Sequence, residues 1–68
     1  MEMTSHAARV RIQVRYIEMP TLRLSQTQIA RLCDVPEELC QDALERLVWS
    51  GFLAQTPEGT FVRSGVRL

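Results

Sequence analysis

The sequence predicts a small α+β domain with three helices, one short strand and a C-terminal β-hairpin, and three observations carry that expectation. Between Pro36 and Gly51, the residues Leu39, Cys40, Ala43, Leu44 and Leu47 recur at three- and four-residue steps, which places them on one helical face. Ser25 followed three residues later by Gln28 is a capping box, in which each side chain satisfies a backbone N–H of a helix start. The runs FLAQT and TFVR flank Pro57 and Gly59, residues that preset a turn corner and supply a positive φ, so this segment reads as a hairpin.

Length and charge bound what such a domain can do. At 68 residues the chain is one domain with a thin core, and partners can supply further burial. A hydrophobic fraction of 46% with 24% charged residues belongs to a folded chain. Eight Arg, no Lys and eight acidic residues give a formal net charge of zero, without the global attraction to phosphate of a basic domain. Nucleic-acid binding then needs local charge. Charges interrupt the apolar positions of MEMTSHAARVRIQV, so no signal peptide or membrane span is expected there and a cytoplasmic location is the default.

Taken in order, residues 1–6 are expected to be disordered. From Ala7 to Glu18, Val10, Ile12, Val14 and Tyr16 alternate with polar residues as in a strand, but Ile17 breaks the alternation. The helical reading is preferred because Ala7 and Ala8 open the segment and Pro20 ends it. It leaves two opposed stripes, Val10, Val14 and Ile17 against Ile12, Tyr16 and Met19, one for the core and one for a second subunit. Thr21 to Leu24 reads as a short strand. The second helix starts at Ser25, buries Ile29, Leu32 and Cys33, and ends near Asp34, turning through Val35. Pro36 suits the first turn of the third helix, and Glu37 and Glu38 complement its positive dipole end. Gly51 closes that helix. The domain spans residues 7–63, and residues 64–68 form a short tail.

No catalytic constellation appears. Cys33 and Cys40 match no zinc or thioredoxin-like spacing and the one His is His6, so both thiols read as small buried hydrophobes. No nucleophile with a partnered base, paired acid or phosphate loop is present. Neither enzymatic activity nor a metal or cofactor is expected.

Across about residues 8 to 63, the chain resembles the winged helix-turn-helix domains of bacterial transcription regulators. The resemblance rests on Leu24-Ser25 opening the second helix, Ile29-Ala30 within it, Val35 in the turn, the core positions Ala43-Leu44 and Leu47, and Gly51-Phe52-Leu53 entering the wing. Asp34 stands where glycine is common, and Asp tolerates the left-handed conformation better than most residues. The resemblance implies that the third helix enters the major groove, with Glu37, Glu38, Leu39, Gln41, Asp42 and Glu45 at base- or phosphate-facing positions. The positive charge lies elsewhere, and its functional reading is a phosphate-contacting stripe made by Ser25, Gln26 and Thr27 at the second helix's start, Arg31, the first helix's Arg9, Arg11 and Arg15, and Arg63 in the wing. Four of those six groove-facing residues are acidic, and Glu58 occupies the hairpin tip, which opposes contact with a polyanion. The bland reading of the arginines, with Arg23 and Arg67 among them, is solvated charge paired with the acidic helix.

Two functions follow. The resemblance favours a small DNA-binding transcription regulator, homodimeric, with duplex DNA as partner. The local charge favours an alternative, a winged-helix protein-interaction or dimerisation module that does not bind DNA through its acidic third helix. Its interface residues are Ile12, Tyr16, Val48 and Trp49, with Trp49 readable either as an exposed contact or as a core residue.

Overall fold

Thr4 sets the start of the first helix, α1 (Ser5–Glu18), by accepting the Ala7 N–H on its hydroxyl at 3.0 Å. The computed structural model describes residues 3–65; residues 1–2 and 66–68, with Arg67 and most of the expected tail, lie outside the described residues. The helix thus begins two residues before Ala7, and Ser5 and His6 are helical where disorder was expected. Its last turn closes through the Met19 N–H on the Arg15 carbonyl, one residue before Pro20.

Burial decides between the two stripes of α1. Ile12 and Tyr16 are fully covered and join the core with Ala8, Met19 of the same expected stripe is exposed just past the helix end, and Val10, Val14 and Ile17 face outward. Ile12 and Tyr16 are therefore not interface residues. The i, i+4, i+8 spacing from Ala8 aligns them on the side that meets the third helix, and the small Ala8 lets the two helices approach.

The chain then turns at Pro20 and Thr21, with the Leu22 N–H bonded to the Met19 carbonyl. That turn displaces the expected Thr21–Leu24 strand, and only β1 (Leu24–Ser25) joins the sheet. Helix α2 (Gln26–Cys33) follows with the complete capping box, Ser25 and Gln28 each accepting the other's backbone N–H. Ile29, Ala30 and Cys33 are buried. Leu32, expected in the core, is instead exposed, because it lies about 100° around the helix from Cys33 and Ala30 takes the inward position.

Both remaining helix ends use the same closure. Asp34 adopts φ 54° and ψ 52°, the Val35 N–H reaches the Ala30 carbonyl, and the Asp34 N–H reaches that of Arg31. This is a Schellman motif with Asp in glycine's place, and the contact of buried Val35 with buried Ala30 completes it. Pro36 caps α3 (Glu37–Trp49). At its far end Gly51, at φ +85°, repeats the motif with Phe52 N–H on the Leu47 carbonyl. A Cβ there would meet nothing within 4 Å, so conformation and not space calls for glycine.

Strands β2 (Leu53–Gln55) and β3 (Thr60–Arg63) form the hairpin, and β1 pairs with β3 to complete a three-stranded antiparallel sheet in the order β1-β3-β2. Gly59 at φ +87° and the Thr56–Thr60 hydroxyl pair hold the tip. The architecture is a small α+β domain. Its core gathers Ile12 and Tyr16 of α1, Ile29 of α2, Cys40, Leu44 and Leu47 of α3, and Leu53 and Phe61 of the sheet. The Tyr16 hydroxyl donates to the Phe61 carbonyl at 2.7 Å, a buried bond joining the first helix to the last strand.

Two predictions test this packing. Ile12→Ala leaves a cavity and is expected to cost about 3 kcal/mol, whereas Val14→Ala in dilute protein stays within about 0.5 kcal/mol; urea unfolding of the two variants compares them. Burial raises the Tyr16 phenol from 10.0 to about 12. The neutral form is thus favoured by folding, and its contribution to stability is complete below pH 10 and lost as pH rises through about 12. Unfolding midpoints of the parent and Tyr16→Phe across that window are expected to fall for the parent and to fall less for the variant.

Candidate interaction site

The exposed face of α3 follows from its buried one. Cys40, Ala43, Leu44 and Leu47 point inward, so the 100° step puts Glu38, Glu45 and Trp49 on the opposite side. Trp49 is 90% exposed. Glu37 and Glu38 stand at the head of the helix, both exposed. Asp42 is engaged: the Ser5 hydroxyl donates to its carboxylate and Arg46 pairs with it at 3.1 Å. The Ser5 bond, with the nearby Arg46, holds the Asp42 carboxyl below the usual range. Glu37, Glu38 and Glu45 have no ion-pair partner among the described residues.

Beside this face runs a groove of about 370 Å³ between α3, the start of α2 and the hairpin. Leu44, Val48 and Phe61 line its apolar part, Gln26, Gln41 and Gln55 supply amides, Glu45 a carboxylate, and Trp49 forms a wall. The groove thus gathers Gln26, Gln41, Val48 and Trp49 from two sets of residues that sequence reading kept apart. Gln55 and Phe61 were missed as site residues. The signal for Gln55 lies in strand period two: it shares the sheet face of Leu53, which packs under α3, but sits two residues further out where the helix no longer covers it.

The expected phosphate-contacting stripe does not assemble on one face. Ser25 pairs with Thr60 near the hairpin tip, whereas Arg63 pairs with Leu53 at the other end of β3, about 10 Å along the strand. Arg63 is held over the Phe52 ring, 4.3 Å from its centroid. Arg11 turns toward α2, donating through one terminal nitrogen to the Cys33 and Asp34 carbonyls, both at 3.3 Å. Arg9 lies some 200° around α1 from Arg11, beside His6. Thr27 and Arg31 are exposed on the outer side of α2. At the hairpin tip the Glu58 carboxyl is held low by its own backbone N–H and by Thr56, so the tip presents negative charge.

Comparison of the chain with protein-family models, curated proteins and solved structures finds no match. No helix among the described residues is long and apolar enough to cross a membrane. Among the same residues, no three His, Cys, Asp or Glu side chains cluster in a way that could hold a metal ion. The groove offers apolar surface, amide donors and acceptors, one carboxylate and an indole.

Cys33 and Cys40 are buried free thiols, and Cys40 donates to the Gln26 carbonyl at 3.6 Å. Burial pushes both thiols up, Cys40 to about 11, with Cys33 and Glu37 adding to it. The reactive thiolate is therefore scarce in the folded state. At mildly alkaline pH both are expected to resist an aromatic disulfide reagent in native protein and to react fully in denaturant, read by absorbance. Replacing both by Ala is expected to lower stability without changing what the α3 face binds; fast native-state labelling would contradict their packing role.

Proposed function

We propose that this chain is a winged-helix protein-interaction module whose α3 face and adjoining groove dock a basic segment of a partner protein. The observation that carries this reading is Trp49, exposed at 90% on the side of α3 opposite the core, in line with Glu38 and Glu45. A large aromatic left in water on a rigid helix suits an interface anchor. The carboxylates around it select a cationic partner, since Glu45 and the indole wall one groove and a Lys or Arg head can lie over an indole ring while meeting a carboxylate. The amides of Gln26, Gln41 and Gln55 suit the backbone of an extended segment.

The second reading, a small DNA-binding transcription regulator, rests on the resemblance to winged helix-turn-helix domains and on Thr27, exposed in the first turn of α2, where a helix N-terminus attracts phosphate. Against it stand the unpaired acids of α3, which place negative charge where phosphate would approach, and the dispersion of the arginines over several faces.

Charge neutralisation separates the two, because its effects have opposite signs. With Glu37, Glu38 and Glu45 changed to Gln, binding of an arginine-rich synthetic peptide, followed through the fluorescence of the single Trp49, is expected to weaken about tenfold or more. Random duplex DNA is expected to bind neither form. If the domain instead reads DNA through α3, the same change tightens non-specific duplex binding, the affinity falls steeply with salt, and Arg63→Ala weakens it. That pattern overturns the interaction reading.

A further inference from the structure

The outward stripe of α1 is a second apolar surface, remote from the α3 face. Val10 is 42% exposed, Val14 45% and Ile17 58%, and Leu32 of α2 joins them at 40%. Val10, Val14 and Leu32 line a groove of about 600 Å³ between α1 and α2, flanked by Arg11, Arg15 and Glu18. We propose that a second copy of this chain occupies this surface, with the two α1 helices packed antiparallel about a two-fold axis through Val14.

The sequence of the stripe is complementary to itself in that orientation only. Val10, Val14 and Ile17 follow steps of four and three, the seam of a helix pair. Turned about Val14, Val10 of each copy meets Ile17 of the other, and Val14 meets Val14. Arg11 and Glu18 are seven residues apart and so lie on the same flank of the seam. In an antiparallel pair each flank meets its own kind in reverse order, which sets Arg11 of one copy against Glu18 of the other, twice over. In a parallel pair that flank meets the opposite one, which carries Gln13, and neither ion pair forms.

The charges are prepared for this contact. Arg11 already leans on the α2 carbonyls of Cys33 and Asp34 through one terminal nitrogen, which fixes its position and leaves its other donors free for a carboxylate. Glu18 has no ion-pair partner among the described residues. A partner of unrelated sequence would need no such symmetry about Val14; a second copy requires it. The face is one helix long, about 21 Å, which belongs to the small end of stable interfaces.

Sedimentation equilibrium and cysteine cross-linking of the full chain test the proposal. At about 100 µM the parent is expected to sediment as a dimer, and E18R, which sets arginine against arginine, to weaken association about tenfold or more. Glu18 occupies the last turn of α1, where a cation suits the helix dipole, so E18R keeps the fold. Under mild oxidation, with Cys33 of the groove and Cys40 both replaced by Ala, V10C mixed with I17C is expected to give a bridged heterodimer, while V10C alone gives none. A parent that sediments as a monomer overturns the proposal, as does a dimer indifferent to E18R. Self-bridging of V10C in place of the mixed bridge overturns the antiparallel orientation and with it the proposal.

Discussion

Tyr16 ties the domain together, because one side chain reaches from the first helix to the last strand. Its ring lies in the core with Ile12 and Leu44, and its hydroxyl satisfies the Phe61 carbonyl. Phe61 in turn pairs with Leu24 on one side and Gln55 on the other, so the middle strand of the sheet is anchored to α1. A buried carbonyl without a partner is costly, and a domain of this size has little other burial to offset the loss. The position of the hairpin, and so of the groove beside α3, depends on this bond and on the packing of α1 around it.

Polar side chains at the helix ends do similar work at the surface. Arg11 bonds the carbonyls at the end of α2, and Ser5 reaches across from the start of α1 to Asp42 in α3. Each spans two helices, and Arg11 in addition satisfies carbonyls that the end of α2 leaves open. They also sort the charges. Asp42 is occupied by both Ser5 and Arg46, leaving Glu37, Glu38 and Glu45 to set the field of the α3 face. Arg11 is withdrawn from that field and placed beside the α1 stripe. The net charge is zero, yet the two faces proposed to bind have different characters, one acidic with an indole, the other apolar with flanking charges of both signs.

These faces fit a division of labour within one small scaffold. In the two proposals, a rigid α3 would present Trp49 and its carboxylates to a basic segment, and α1 would offer its outer stripe to a second copy. Since core residues from α1 and α3 interdigitate, pairing through α1 would double the α3 faces without altering either, and two linked docking sites bind a partner with two basic segments more tightly than one site alone.

The sequence by itself determined the elements whose signals are local. The capping box at Ser25, the closing glycine at Gly51, the left-handed Asp34 and the Pro57 to Gly59 turn act within a few residues, and each appears where it was read. So do the inward residues of α3, whose spacing admits one face. Tertiary structure decided what periodicity leaves symmetric. Two stripes of α1 were equally apolar, and packing against α3 chose Ala8, Ile12 and Tyr16 because that side meets the helix closely. Leu32 lost its expected place to Ala30 for the same reason, and the turn at Pro20 shortened β1. The groove was the least legible feature. Gln26, Gln41, Trp49 and Gln55 come from three separate elements, and no spacing along the chain records that the fold brings them around one groove.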